Sequence, residues 1–197
     1  AIRNEASYSG TIAVAACNSP ISVTFSGDSD VITELEWVTE SLGYTPRRLR
    51  VDTAYHSHHM IPCAEPYVQS MSQCQVQTRQ GSSDTKWFSS VFEGKIMEEL
   101  DIQYWSDNML RPVLFAQALT AAINHLPGLD AIIEVGPHAA LQGPTMQTLS
   151  AIKPEADVPY VGMANRKSGG IAALALAVGS FWANLGAETL DVLSYIR

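Results

Sequence analysis

Cysteine is scarce in this chain and never closely paired: Cys17, Cys63 and Cys74 stand alone among 197 residues. Three scattered thiols argue against a disulfide framework, and they suit a reducing, cytoplasmic setting. Positive charge is also short, with 12 Lys and Arg against 20 Asp and Glu, a net charge of -8 and a pI near 5.0. A nucleic-acid or anionic-membrane partner needs a basic surface, so neither is expected. An anionic substrate is not excluded, but its cations must then be local. No apolar run reaches the ~20 residues that span a bilayer, and no signal-peptide pattern opens the chain. There is no internal repeat. The opening Ala1-Ile2-Arg3-Asn4-Glu5 has no methionine and no helix cap, and it reads as the start of a piece excised from something longer.

What remains is enough for a core. The chain is 46% hydrophobic and 16% charged, with mean hydropathy +0.02, sufficient for one or two small units. Residues 11–17 read as a strand, Asn18-Ser19-Pro20 as a turn, and residues 22–26 as a second, antiparallel strand. Gly27-Asp28-Ser29-Asp30 breaks the strand and caps a helix with Val31, Leu35, Val38 and Leu42 at helical spacing, ended by Gly43. Residues 47–51 read as a third strand. Residues 61–71 read as a helix turning Tyr67, Val68 and Met71 inward. Residues 72–86 are polar and read as a surface loop or a segment lying in a groove of another domain. Residues 87–92 read as an aromatic strand turned by Gly94. Pro112 suits a helix start, with Val113, Phe115, Leu119, Ala122 and Ile123 as its stripe. Residues 130–135 form a short apolar run, as in a buried parallel strand. A last helix carries Ile171, Leu174, Val178, Phe181 and Trp182 on one side, and residues 190–196 add a strand.

The chemistry concentrates in Val51-Asp52-Thr53-Ala54-Tyr55-His56-Ser57-His58-His59-Met60. An imidazole between a strand and a helix is well placed to enter a cleft and to exchange a proton near neutral pH. His58 and His59 also read simply as polar residues leading into a helix. A metal site is a third reading, since His56 and His59 are one turn apart, but no second ligand cluster follows and the cysteines are scattered, so no metal is expected.

The same stretch carries a resemblance. Thr53-Ala54-Tyr55-His56, followed by Ser57 and Met60, resembles the acyltransferase domain of polyketide and fatty acid synthases, and Ala54-Tyr55-His56-Ser57-His58-His59-Met60 is most similar to fungal iterative, highly reducing polyketide synthases. Three further phrases resemble the same family in the same order: residues 16–27, the aromatic pair Tyr104-Trp105 followed by Asn108 and Pro112-Val113, and Glu134-Val135-Gly136-Pro137-His138. The resemblance implies an α/β chain, a partial acyltransferase fold: an incomplete ferredoxin-like subdomain over residues 1–52, the C-terminal part of the α/β-hydrolase-like large subdomain over 53–152, and a post-acyltransferase linker over 153–197.

On that resemblance His56 is the catalytic base and Asn108 the residue that accepts its hydrogen bond. A helix cap is the plainer reading of Asn108. Asp107 is passed over as the orienting group, because the resemblance puts Asn108 there. His138 is structural, since one base is enough. Tyr55 and Ser57 face substrate, and the aromatic Tyr55 fills the space of an α-methyl, favouring malonyl over methylmalonyl. A methyl group in a pocket is worth about 1–3 kcal/mol, so this is a preference. Thr53 departs from the commoner histidine or tyrosine.

The family's nucleophile is a serine in a Gly-x-Ser-x-Gly elbow, and no such pattern occurs in this sequence. By family order it lies upstream of residue 1, in a missing N-terminal half. The implied activity is loading of malonyl from malonyl-CoA, with the phosphopantetheine arm of an acyl carrier protein as acceptor and no permanently bound cofactor. The implied partners are that carrier protein, the ketosynthase and other synthase domains. This chain alone is expected to be inactive. Two other readings stand beside it: a structural docking fragment, and a starter-unit acyltransferase.

Overall fold

The computed structural model describes residues 11–74, 84–167, 169–186 and 188. The expected strand at 190–196 and most of the polar stretch 72–86 lie outside them. The chain forms two compact units, residues 1–121 and 122–197. Both are α/β with small two-stranded sheets, as expected.

The first unit opens on a hairpin of β1 (Ile12–Ser19) and β2 (Ser22–Gly27). The connection is tighter than the sequence suggests: Ser19 pairs with Ser22, so only Pro20 and Ile21 turn. Two register shifts, between Val14 and Ala16 and between Cys17 and Ser19, bend the ladder. Helix α1 (Ser29–Ser41) follows, burying Val31, Leu35 and Thr39. Gly43 leaves it at φ 82°, a left-handed angle open to glycine.

Residues 47–51 do not form the expected third strand. They are exposed and find no partner strand among the described residues. An extended segment with an apt sequence becomes a strand only when another edge takes its backbone groups. A 3₁₀ turn, His58–Met60, then leads into α2 (Ile61–Gln73). This helix buries none of its residues, and Tyr67, expected inside, is exposed.

The aromatic strand is shorter than expected. Only β3 (Trp87–Phe88) pairs, with β4 (Ile96–Met97), around a turn at Gly94. Gly94 has φ 80°, and a Cβ there would lie 2.5 Å from that of Ala121. Ser89 explains the early end: fully buried, its hydroxyl accepts from the N–H groups of Val91 and Phe92 and lies 3.0 Å from the Tyr104 hydroxyl. Tyr104, in α3 (Ile102–Leu110), meets Trp87, Phe92 and Trp105 edge to face. The helix is capped by the Asp101 side chain on the Tyr104 N–H, 2.8 Å.

Helix α4 starts at Phe115, later than Pro112 suggested. Val113, expected on the helical stripe, instead bridges in parallel to Ala16. Its N–H donates to the Ala15 carbonyl and its carbonyl accepts from the Cys17 N–H, both 2.8 Å. The hairpin and the α3–α4 connection are thereby joined within one unit. Helix α4 runs to His125, across the division between the units.

In the second unit β5 (Ile132–Glu134) pairs in parallel with β6 (Tyr160–Gly162), flanked in sequence by α5 (Gln142–Ile152) and α6 (Gly170–Leu185). The parallel pairing was expected and full burial was not: Ile133 is 53% and Val135 86% exposed. Along α6 the buried residues are Ala173, Ala177 and Phe181, while Ile171 and Trp182, expected inside, are exposed. The small side chains let the helix approach closely, so Val161, Ala177 and Phe181 form a core with Ala131, Met163 and Leu185 around it. No helix among the described residues is long and apolar enough to cross a membrane.

Candidate active site

His56 stands at φ 59°, in the left-handed region that a side chain other than glycine's rarely takes. That conformation costs about 1–2 kcal/mol, so it persists only when its surroundings enforce it. They do so on both sides. The Ser57 hydroxyl donates to the Ala54 carbonyl at 2.6 Å, closing a loop across Tyr55 and His56. The same hydroxyl accepts from the His59 N–H at 3.3 Å and so caps the 3₁₀ turn. Ser57 is 4% exposed. Ser57, expected to face substrate, makes both of these bonds within the turn that carries His56.

The His56 ring is oriented by a backbone carbonyl. Its Nδ1 lies 3.0 Å from the oxygen of Arg111. A carbonyl can only accept, so Nδ1 carries a proton, and in the neutral ring the lone pair is then on Nε2. The sequence reading assigned this orienting role to Asn108. The carbonyl found on the ring is three residues further on, because α3 ends at Leu110 and Arg111 is already extended, at φ -84° and ψ 157°. Pro112 has no N–H, so it also leaves the Asn108 carbonyl without the donor a continuing helix would supply.

Arg111 is itself held. Its guanidinium lies over the Phe92 ring, 5.2 Å from the centroid, and 3.5 Å from the Asp107 carboxylate. Asp107 therefore pairs one helical turn away with Arg111 and, at 3.4 Å, with Gln103. Tyr55, next to His56 in the chain, is 52% exposed.

The other two histidines turn to Asp28. Its Oδ1 lies 2.7 Å from His59 Nε2 and 3.3 Å from His58 Nε2, with the two rings 4.3 Å apart. Its Oδ2 accepts from the Thr11 N–H at 2.9 Å, and its own N–H donates to the Thr11 carbonyl at 3.1 Å. The Thr11 hydrogen bond and the His59 ring hold the Asp28 carboxyl below its ordinary value of 3.8. Among the described residues Asp28, His58 and His59 are the group whose donor atoms could hold a metal ion, all within 4.8 Å of one another. His56, paired with His59 in the metal reading of the sequence, is not in that group. Sequence reasoning took Asp28 only as a helix cap, yet its side chain makes no cap hydrogen bond.

His138 belongs to the second unit. Its loop is held by Glu134, whose carboxylate accepts from the N–H groups of Ala140, 3.0 Å, and Leu141, 3.1 Å, and from the Tyr160 hydroxyl. The Tyr160 hydroxyl is pushed well above its ordinary 10.0 by burial first and by Glu134 second. His138 Nδ1 is buried with no partner.

A histidine in a strained turn, with one nitrogen fixed by an acceptor and the other left basic, fits proton transfer in an acyl-transfer enzyme. Comparison with known proteins agrees: residues 2–181 match the acyl transferase domain family, and the chain belongs to it. It is 47% identical over 200 residues to a non-reducing polyketide synthase of Penicillium canescens, olcA, covering all of this chain and 8% of that protein. It is 46% identical over 198 residues to a highly reducing synthase of Aspergillus terreus, ctvA, covering 96% of this chain and again 8% of the relative. The kind of synthase is thus mixed among its relatives, broader than the highly reducing type the histidine phrase suggested. Among solved structures it is similar to the acyltransferase domain from module 8 of the salinomycin polyketide synthase, with TM-score 0.78, 25% identity, and coverage of 89% of this chain and 40% of that one.

Proposed function

We propose that this chain supplies the general base for loading malonyl from malonyl-CoA onto an acyl carrier protein of a polyketide synthase. The observation that carries the reading is the Arg111 carbonyl on His56 Nδ1, which makes Nε2 the nitrogen that can take a proton in the neutral ring. In the first half-reaction His56 Nε2 takes the proton of a serine as its oxygen attacks the thioester carbonyl. The imidazolium then returns that proton to the departing coenzyme A thiolate. In the second half His56 deprotonates the phosphopantetheine thiol, which attacks the acyl-serine, and the serine oxygen recovers its proton.

The serine belongs to a Gly-x-Ser-x-Gly elbow outside these residues, in the N-terminal part of the domain. Absence of that pattern here supports this, as does coverage of 40% of a solved acyltransferase domain. Asn108 contributes through the helix end that sets the Arg111 carbonyl. Tyr55, half exposed beside the base, selects malonyl over its α-methyl homologue. The partners are the carrier protein, the ketosynthase and the remaining synthase domains, in the cytoplasm, and no resident cofactor is needed. Alone, without the serine, the chain is inactive.

The test is intact mass of the complete protein after brief exposure to malonyl-CoA, beside a His56→Ala variant. A malonyl adduct that forms slowly in the variant supports the reading. An adduct formed at the same rate in both removes His56 from the reaction.

A further inference from the structure

We propose that Asp28 is a positioning residue for His56, acting through His59 on the turn that carries the base; this rests on the reading of His56 as that base. Asp28 is anchored on the far side by Thr11, through its own N–H and through Oδ2, so its position is set by the start of the hairpin. Its free oxygen, Oδ1, takes His59 Nε2 at 2.7 Å. The His59 N–H donates to Ser57 Oγ, and Ser57 Oγ donates to the Ala54 carbonyl. The Met60 N–H closes back on the Ser57 carbonyl at 3.1 Å. His56 lies inside that loop at its left-handed φ.

The chain of bonds is continuous from strand to base. A strained residue relaxes unless it is held, and the rings of His58 and His59 on Asp28 tie this turn to the residue that follows the hairpin. His59 is the nearer ring and the one whose N–H grips Ser57. His58 is further off, at 3.3 Å, and its Nδ1 is buried without a partner, so it supports the carboxylate from the side. Loss of the pair lets His56 drift from the position in which the Arg111 carbonyl fixes its tautomer. The base remains present but is less often aimed.

The experiment uses the complete protein carrying Asp28→Ala, His59→Phe, both together, and His58→Phe. His59→Phe keeps a ring in place and leaves the hairpin and α1 untouched, so it reads the contact even if Asp28→Ala fails to fold. Two quantities are measured: kcat and KM for malonyl transfer, and the resonances of the His56 ring by NMR, which need no turnover. The expected result is a fall in kcat of about ten-fold in either single variant, with KM unchanged. The double variant is then no worse than the worse single one, because both break one bond. The His56 resonances shift or broaden in both, and His58→Phe has the smaller effect. Additive losses, a rise in KM alone, or a His56 ring undisturbed by His59→Phe would each overturn the proposal. If His56→Ala leaves acyl transfer intact, the reading of the base fails, and the ring resonances alone decide whether Asp28 holds the turn.

Discussion

Two carboxylates in this chain hold two turns that carry a histidine, and they do it differently. Glu134 accepts backbone N–H groups from the residues just after His138 and a hydroxyl from Tyr160, so it fixes the loop itself. Asp28 reaches across from the hairpin to the imidazoles of His58 and His59, so it fixes the turn from outside, through side chains. The histidines differ accordingly. His56 has a carbonyl on Nδ1 and a left-handed backbone; His138 has an unpartnered, buried Nδ1. A ring that must move protons needs an acceptor that sets its tautomer, and of His56 and His138 it is His56 that has one on Nδ1. The family phrase Glu134-Val135-Gly136-Pro137-His138 reads from this as a folding device, whereas the His56 phrase reads as a reacting one.

The contrast breaks most directly by removing each ring. His56→Ala should slow malonyl transfer in the complete protein by about 10²–10⁴-fold, the range of a lost general base. His138→Ala should leave the rate close to that of the parent. Equal losses would erase the distinction. Next in size is the loop itself. Glu134→Ala strips an acceptor from two N–H groups and a hydroxyl, and should lower stability by about 2–4 kcal/mol, as the sum of discounted, partly solvated hydrogen bonds. Urea unfolding of the complete protein measures it, and the slope should stay constant while the midpoint falls. Gly94→Ala should cost about as much, since φ 80° and the Ala121 methyl group 2.5 Å away both oppose a Cβ. It acts on the first unit and should leave the Glu134 loop unaffected.

The sequence carried the family and the parallel pairing of β5 with β6, because each rests on local features: a phrase and an apolar run. It also placed α1 correctly, from Val31 and Leu35 at helical spacing. What it missed depends on partners distant along the chain. Residues 47–51 have strand composition and no neighbour among the described residues to make them one. Val113 sits on an apparent helical stripe but is claimed by Ala15 and Cys17 from nearly a hundred residues away. On α6 Phe181 was read correctly, but Ile171 and Trp182 are exposed, while Ala173 and Ala177, small enough for close packing, are buried. Asp28 looked like an ordinary cap, and nothing in its local sequence points to His58 and His59, thirty residues on. The Arg111 carbonyl has no signature at all, since every residue has one.

Alkaline pH tests the Glu134 side. Tyr160 has a folded pKa raised above its ordinary 10.0 by burial and by Glu134. The native state therefore keeps a proton that the unfolded chain gives up once pH passes the ordinary value. Stability is unaffected below that point and falls as pH rises above it. Followed by phenolate absorbance, ionisation of Tyr160 should come late, above the ordinary tyrosine value, and Tyr160→Phe should abolish that late step. A Tyr160 that titrates with the rest would mean the hydroxyl is not buried against Glu134.

Acid pH tests the Asp28 side, and here the effect is smallest because the carboxylate is open to solvent. Its folded pKa is depressed below the ordinary 3.8, first by the Thr11 N–H and then by His59. A depressed carboxylate contributes its stabilisation fully above the unfolded value and loses it as pH falls through the lower, folded one. The hairpin–turn link should thus survive mild acid and loosen only in strong acid. The check is NMR of the His59 and Thr11 signals below the ordinary carboxylate value, compared with Asp28→Asn. The amide keeps a carbonyl for His59 but gives Thr11 an N–H where it needs an oxygen, so the variant should already show at neutral pH what the parent shows only in strong acid. If parent and variant give the same Thr11 signal at neutral pH, Oδ2 does not hold the strand, and the link from hairpin to base has no anchor.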